Sequence, residues 1–393
     1  MIEILKDPIT WIGDFLRTWL EGLGLLPDFV SFLLQLLAAL ILATTLLLLT
    51  FILIWAERKI VARIQDRLGP NRVGPFGVFQ TVADLLKLLT KELITPTGVD
   101  RIPYNLAPLI TVASVVGLWG VMPLAPTILG ADISVGVLYI ISIGAIGTLG
   151  ILLAGLSSNN KYALLGAFRT VAVMISYAVP MVLALLIPVM LSGSMGMQAI
   201  VEGQRGAPYF LLAPVAGIVF FLSSLAEVGR APFDLLEADS EIVAGYNIEY
   251  SGLKFGMFFV AEFLHAFTIS ALTATLFLGG WSGPWVDSYP ILGILYLLIK
   301  TSIIYFVVIW IRGSFPRIRI DHMNALNWKL ITPVALAGLI FTAVAEKVAV
   351  ELELHRVIVH LGSSVILIVL VLIIVGIYAR VKRRQVEASA SAG

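Results

Sequence analysis

Long, unbroken apolar runs constrain the fold of this chain more than any other feature of its sequence. A helix needs about 20 mainly apolar residues to cross the hydrocarbon core of a bilayer. Runs of this kind lie near residues 30–56, 104–128, 133–156, 170–191, 209–226, 255–278, 291–311, 330–345 and 357–378. Charged residues make up only 13% of the chain, whereas soluble domains contain about 25%. The sequence therefore predicts an all-α, polytopic membrane protein with about nine transmembrane helices plus interfacial amphipathic helices.

The positions of Lys and Arg predict how the chain lies in the membrane. Most of its 26 basic residues fall in alternate loops, and loops rich in these residues remain on the cytoplasmic side. We therefore expect the N-terminus outside and the C-terminus in the cytoplasm. The predicted parts are an N-terminal interfacial segment (1–29), a membrane domain (30–346), an additional C-terminal helix with a basic end (347–384) and a disordered tail (385–393). The predicted cytoplasmic loops are 57–103, 157–169, 227–254 and 312–329.

The composition also excludes several kinds of site. The chain has no cysteine, so its own residues supply no disulfide, thiolate metal site or iron–sulfur cluster. His265 and His360 lie at different depths in their predicted spans, so they do not form a b-type haem site. We expect no redox centre, metal or cofactor bound by this chain. The formal net charge of +1 gives no field that would attract a nucleic acid.

The first cytoplasmic loop contains a regular basic pattern. Lys59, Arg63 and Arg67 recur every four residues, which places them on one face of a helix that continues the first span. A rigid turn is predicted at residues 69–75, which are rich in Gly and Pro. An amphipathic helix suited to the membrane interface follows over residues 76–92. Anchoring and topology alone would explain the lysines of this loop.

Acidic residues accumulate in the third cytoplasmic loop, against the expected basic pattern. They are Glu227, Asp234, Glu237, Asp239, Glu241 and Glu249. A helix starting at Pro232 would place the second, third and fifth of them on one face. Acids in a first turn stabilise a helix by about 0.3–1 kcal/mol each, but this does not explain a row that continues toward Glu249. Neighbouring carboxylates raise one another's pKa, so the row predicts groups that hold and pass protons.

Two ionisable residues, Glu262 and Lys300, stand inside predicted spans. A charge at the middle of a membrane costs about 2.5–3.5 kcal/mol on insertion scales, so it requires a partner or a wet cavity. The two residues are expected to pair with each other, either in proton transfer or in a structural ion pair that joins two helices. His265, three positions after Glu262, is expected to be a core histidine with satisfied hydrogen bonds.

Several motifs at these loops occur in one order along the chain. They include Glu57-Arg58-Lys59, Gly69-Pro70-Asn71, Arg230-Ala231-Pro232-Phe233-Asp234, Ile248-Glu249-Tyr250-Ser251-Gly252, Ala261-Glu262 and Gly279-Gly280-Trp281. In this order they resemble the H subunit family of bacterial NADH:quinone oxidoreductase, equivalent to subunit 1 of mitochondrial complex I. The resemblance runs from about residue 30 to residue 345. A single Gly-Pro-Asn turn would be a weak signal, but the ordered set is highly specific.

The resemblance implies a subunit that anchors the hydrophilic arm of the enzyme, forms the mouth of a quinone channel and starts a polar path toward proton-pumping subunits. It implies quinone-channel roles for Arg58, Gln65, Arg67, Arg230 and Phe259. It implies proton-transfer roles for Glu57, Asp234, Glu237, Asp239, Glu241, Glu249, Glu262 and Lys300. Quinone would be the substrate, and partner subunits would hold FMN and iron–sulfur clusters. The partners would be the other membrane and peripheral subunits and the lipid bilayer, in the inner membrane of a bacterium.

The sequence departs from the family pattern in the fourth span, where Val173 replaces a usual Gln and Ala178 a usual Glu. Proton transfer there would need another carboxylate or water. Two alternatives stay open. One is the equivalent membrane subunit of a related hydrogenase or of a ferredoxin- or F420-linked dehydrogenase. The other is a stand-alone ion transporter, a class that often has inverted repeats and helices broken at the midplane, neither of which is visible in this sequence.

Overall fold

The chain folds into a bundle of long helices. A computed structural model describes residues 7–234 and 243–391, and no strand occurs among them. The helices are α1 (Pro8–Gly22), α2 (Pro27–Ile64), α3 (Gln80–Thr90), α4 (Arg101–Leu118), α5 (Gly136–Ser157), α6 (Lys161–Ser192), α7 (Met197–Glu202), α8 (Tyr209–Leu212), α9 (Pro214–Val228), α10 (Gly252–Phe277), α11 (Ile291–Ser314), α12 (Ile320–Leu326), α13 (Thr332–Glu351) and α14 (Arg356–Ser391). Short 3₁₀ turns lie at Pro75–Gly77, Trp119–Val121 and Gly245–Asn247, and a π-helical turn lies at Asn327–Ile331. The predicted all-α fold is confirmed.

Eight helical segments of the described chain are long and apolar enough to cross a membrane. They are formed by α2, α4, α5, α6, α10, α11, the α12–α13 pair and the first part of α14. Each coincides with a run predicted from the sequence. The run predicted at 330–345 extends over Ile320–Glu351, because the π-helical turn connects α12 to α13 without a break.

The fifth predicted run, 209–226, is interrupted near its start. Ala213 adopts φ −138° and ψ 66°, and this separates the four-residue helix α8 from α9. Pro214 has no backbone N–H and a fixed φ, so it suits the first position of a new helix better than the interior of an old one. The resulting α9 has 15 residues and is shorter than each of the eight segments long enough to cross a membrane.

Helix α10 lies at the centre of the bundle and positions most of the residues considered below. It packs against α2, α4, α9 and α11. Of its most apolar stretch, 67% is buried, more than in any of the other seven segments that could cross a membrane among the described residues. A helix that is apolar on all sides belongs in such a core. Glu262 on α10 is partly buried in this core.

The first and last helices compare differently with what the sequence predicts. At the start, α1 is capped by Asp7, whose side chain accepts a hydrogen bond from the Thr10 amide at 3.3 Å, and it exposes Trp11, Phe15 and Trp19. This is the amphipathic pattern predicted for the N-terminal segment. At the other end, α14 continues to Ser391 through the segment predicted to be a disordered tail. Residues 385–391 contain neither Gly nor Pro, and their alanines favour a helix.

Candidate functional site

A buried ion cluster joins the end of α2 to α10. The Nη1 atom of Arg230 donates to Oε1 of Glu57 at 2.5 Å, and its Nε lies 3.1 Å from Oε1 of Glu262. Arg230 and Glu57 are 2% and 3% exposed. Buried charges of this kind are tolerated when they are paired. Removing one partner leaves the other as an uncompensated buried charge.

Two further side chains complete the cluster from α11. Arg312 forms a second ion pair with Glu57, and the Tyr305 hydroxyl donates to Oε2 of Glu57 at 3.2 Å. The guanidinium of Arg230 also lies over the Phe263 ring, 4.4 Å from its centre. Two guanidinium groups thus face two carboxylates, so the local charge is balanced.

The local sequence explains how Arg230 reaches this position. Helix α9 ends at Gly229, which adopts φ 72°. This left-handed conformation favours glycine because it has no Cβ, and it is a common way to end a helix. The chain turns there and directs Arg230 inward, toward Glu57 and Glu262.

A large apolar cavity of about 500 Å³ lies between α2, α3 and α10. Its walls are mainly aliphatic and aromatic side chains, including Leu47, Phe51 and Phe259. Arg58, Asp84 and Lys87 give it one polar region. A pocket with apolar walls and a few polar groups is the usual form of a site for a small organic molecule.

The polar region of this cavity is ordered by an ion pair. Nη1 of Arg58 donates to Oδ2 of Asp84 at 2.6 Å, and the pair connects α2 to α3. Sequence reasoning placed Arg58 in the site but missed Asp84. The polar stripe on the amphipathic helix could have indicated Asp84, because Asp84 and Lys87 are three residues apart and share a face.

Gln65 and Arg67 lie beyond the end of α2 and outside the lining of this cavity. The helix ends at Ile64, earlier than the predicted stop at residue 69, and Asp66 has a positive φ of 51°. Arg67 therefore does not share a helical face with Lys59 and Arg63. Nε of Arg67 donates to Oε1 of Gln65 at 2.7 Å, and both residues are exposed.

Glu249 occupies a separate polar site that closes against α4 and α6. Its Oε1 accepts a hydrogen bond from Nδ2 of Asn160 at 2.7 Å, and its backbone carbonyl accepts one from the Tyr104 hydroxyl at 2.7 Å. Tyr104 stacks on Tyr250 with ring centres 4.2 Å apart. Burial raises the pKa of the Tyr250 hydroxyl, so this group remains protonated in the fold.

Close backbone packing fixes the segment that leads to Glu249. Gly166 of α6 faces Gly245, and a Cβ at position 166 would lie 2.7 Å from the Gly245 carbonyl carbon. A larger residue at position 166 would push this segment away from α6.

The predicted pair of Glu262 and Lys300 is wrong, and no ion pair joins the two in the described structure. Glu262 contacts Arg230 instead. The Nζ atom of Lys300 donates to the backbone carbonyls of Leu278, Gly280 and Ser282 at 2.8, 2.9 and 2.8 Å. These three bonds use every donor of the ammonium group. A cation at the C-terminus of a helix is also favoured by the helix dipole, so Lys300 stabilises the end of α10.

The acidic row of the third loop is described only in part. Asp234 is partly buried and has an interaction partner. Glu237, Asp239 and Glu241 lie outside the described residues. Glu227, which sequence reasoning counted in the loop, instead lies in the last turn of α9 and lines a second, smaller cavity together with Glu262.

The sequence profile of the family described as NADH dehydrogenase matches residues 37–343. This range holds the ion cluster, the large cavity and the Glu249 site. The chain belongs to the NADH dehydrogenase family. Helix α14 lies outside the matched range.

Three bacterial relatives of this NADH dehydrogenase family member are each named as the H subunit of NADH-quinone oxidoreductase. The relative from Cupriavidus taiwanensis is 43% identical over 351 residues, covering 86% of this chain and 97% of the relative. One from Dehalococcoides mccartyi is 44% identical over 292 residues, covering 74% and 81%. One from Rickettsia bellii is 46% identical over 299 residues, covering 74% and 87%.

Proposed function

We propose that this chain forms the mouth of a quinone channel in a proton-translocating NADH:quinone oxidoreductase. The observation that carries the proposal is the cavity of about 500 Å³ between α2, α3 and α10. Its apolar walls suit an isoprenoid tail, and Arg58, Asp84 and Lys87 suit the polar headgroup. Phe259, expected in the quinone channel from the sequence, lines the same cavity.

Reduction of a quinone takes up two electrons and two protons. The electrons would come from FMN and iron–sulfur clusters of partner subunits. The protons would come from the carboxylates of this chain, of which Glu57, Glu249 and Glu262 have side chains fixed by named partners. Asp234, Glu237, Asp239 and Glu241 keep the proton-transfer role expected from the sequence.

The two arginines outside the cavity would have different tasks. Arg230 would position the carboxylates of Glu57 and Glu262 and shape the inner end of the channel, because both carboxylates contact its guanidinium. Gln65 and Arg67 would meet the peripheral partner subunits, since they are exposed in the same loop region as the exposed apolar side chains of Leu68 and Phe76. This surface would face the cytoplasm of a bacterium, with the N-terminus outside.

The experiment compares quinone reduction by the intact complex carrying Arg58→Ala with the complex carrying Arg63→Ala. Arg63 is an exposed arginine five residues further along α2 and does not line the cavity, so it is the matched control. Loss of a hydrogen bond from a charged group costs about 1.5 kcal/mol or more, which corresponds to roughly tenfold in affinity. We expect the apparent quinone KM to rise by that factor in Arg58→Ala only. Equal KM values in the wild type and both variants would contradict the proposal.

A further inference from the structure

An apolar cavity of about 220 Å³ lies between α9, α13 and α14. Its lining side chains are all Val, Leu or Ile, and they include Val219, Val334 and Ile368. Two of them, Ile218 and Ile368, are 50% and 39% exposed, so the cavity opens at the surface of the described protein. Water needs polar partners to occupy a cavity, so this space suits an apolar occupant.

The way α14 is attached explains why a gap remains beside it. The Ser364 hydroxyl of α14 donates to the backbone carbonyl of Leu212 at 3.0 Å, at the break between α8 and α9. Ile368 and Val371 lie about one and two turns further along α14, where they line the cavity. The helix is thus fastened before the cavity and stands apart from α9 and α13 beside it. Atoms that line an unfilled gap lose dispersion contacts, which an apolar chain would restore.

The end of α14 carries a cluster of positive charge. Four of the five residues 380–384 are basic, and the helix continues through them. Arg380 follows Val371 by nine residues, a rise of about 14 Å along the helix. Half of the hydrocarbon core of a bilayer is about 15 Å thick. The cavity therefore lies near the middle of the membrane when the basic cluster lies at the surface of one leaflet.

A further basic residue lies next to the cavity wall. Trp328 and Lys329 are both exposed, and they directly precede Leu330, which lines the cavity. Trp is enriched at membrane interfaces, and Lys extends its ammonium group toward the lipid headgroups. Lys329 ends the predicted cytoplasmic loop 312–329, so it belongs to the same leaflet as the basic end of α14.

We propose that this cavity holds the end of one acyl chain of an anionic phospholipid from the predicted cytoplasmic leaflet. The phosphate would lie near Lys329 and the basic end of α14, because basic clusters directly after a transmembrane helix attract anionic headgroups. The bound lipid would complete the packing of α14, a helix outside the range that the family profile matches. This site is independent of quinone binding, since the two cavities share no lining residue.

Photolabelling with a lipid probe tests the site. The intact complex would be placed in phosphatidylcholine vesicles with a phosphatidylglycerol that carries a diazirine at the end of one acyl chain. We expect labels on the peptides that contain Val219, Val334 and Ile368. Excess unlabelled phosphatidylglycerol should displace the probe better than excess phosphatidylcholine, by roughly fivefold for each basic residue that contacts the headgroup.

A larger side chain in the cavity should remove the label. Val334→Trp fills the cavity from α13, and we expect loss of labelling on the peptides that contain Val219 and Ile368. Val344→Trp is the matched control, because Val344 lies on the same helix, is 57% exposed and does not line the cavity. Equal labelling of these peptides in both variants would overturn the proposal.

A charge variant keeps the test decisive if Val334→Trp does not assemble. Arg380 is exposed, and Arg380→Gln leaves the cavity unchanged. We expect displacement of the probe by phosphatidylglycerol to weaken by roughly fivefold. Lys347→Gln is the control, since Lys347 is an exposed lysine near the opposite end of α13. Unchanged displacement in Arg380→Gln would contradict the anionic site.

Three results in the wild type would also overturn the proposal. Equal displacement by phosphatidylglycerol and phosphatidylcholine would indicate ordinary contact with bulk lipid. Displacement of the probe by excess quinone would assign the cavity to quinone. Absence of label on all three peptides would indicate that something else covers the cavity, such as a transmembrane helix of a partner subunit.

Discussion

Arg230 and Glu57 are 173 residues apart in the chain, and they form a buried ion pair with an N–O distance of 2.5 Å. Glu57 is followed directly by Arg58, which lines the large cavity. Successive residues on a helix point about 100° apart, a consequence of 3.6 residues per turn. The end of α2 thus presents one residue to the ion cluster and the next to the cavity, so the two regions share one helix end.

The ion cluster predicts a stability effect for Arg230→Met. This change leaves the buried carboxylates of Glu57 and Glu262 without one of their cations, and breaking a buried pair costs about 3–5 kcal/mol. We expect less assembled complex and a lower thermal midpoint for what does assemble. The control Arg63→Met removes an exposed charge from α2 and should behave as the wild type. Equal thermal midpoints for both variants would contradict the structural role of the pair.

The cavity predicts an effect of side-chain size at Val260. Val260 lines the cavity from α10, and Val260→Trp would occupy part of its volume of about 500 Å³. We expect a higher KM for long-tailed quinones and a smaller change for short-tailed analogues, because the tail needs more of the cavity. Ile303→Trp is the matched control, since Ile303 is 60% exposed on α11. A Val260→Trp variant that treats both kinds of quinone as the wild type does would show that quinone does not pass here.

The contacts of Lys300 predict a structural role for this residue. Lys300→Met leaves three backbone carbonyls at the end of α10 without their donor, and one hydrogen bond to a charged group contributes about 1.5–3 kcal/mol. We expect a lower thermal midpoint of the complex but an unchanged ratio of protons to electrons in the assembled fraction. Lys300→Arg keeps the charge and should recover part of the stability. A lower proton ratio at normal stability would instead support the proton-transfer role expected from the sequence.

A second charged cluster fastens α14 to the bundle. Oε2 of Glu346 lies 3.0 Å from Nε of Arg356 and 2.7 Å from Nε2 of His360, and Nη2 of Arg356 donates to the Leu191 carbonyl at 2.6 Å. Glu346→Gln weakens these charge-assisted contacts, and we expect faster proteolysis at residues 352–355, between α13 and α14. Glu351→Gln is the control, because its contact with Lys347 is exposed and such pairs contribute little. Identical cleavage of the two variants would show that the cluster does not hold α14.

Much of the fold follows from hydropathy alone, since each long apolar run is helical over most of its length. The break in the fifth run was missed because hydropathy does not register a proline that starts a new helix at position 214. The eighth span is also longer than its apolar run. Its helix begins at Ile320, because the helix continues through residues 320–329, where polar and apolar residues alternate too closely for hydropathy to mark a span.

Residue types in the site were predictable, but their partners were not. Glu262 and Lys300 were expected to pair because both are charged and lie in neighbouring spans. The Nζ atom of Lys300, on α11, donates to backbone carbonyls at the C-terminal end of α10. Arg230 lies next to Glu262 instead. Which charges meet depends on helix rotation and on the turn at Gly229, neither of which a single sequence specifies. Asp84 was missed for the same reason.

The central claim is that a quinone occupies the cavity between α2, α3 and α10, and photolabelling of the intact complex tests it most directly. A photoreactive quinone would be irradiated with the complex in its membrane, and the labelled peptides sequenced. The account predicts labels on the peptides that contain Arg58, Asp84 and Phe259, and loss of these labels when excess unlabelled quinone is present. Competable labelling that falls on other parts of this chain, or on other subunits alone, would contradict it.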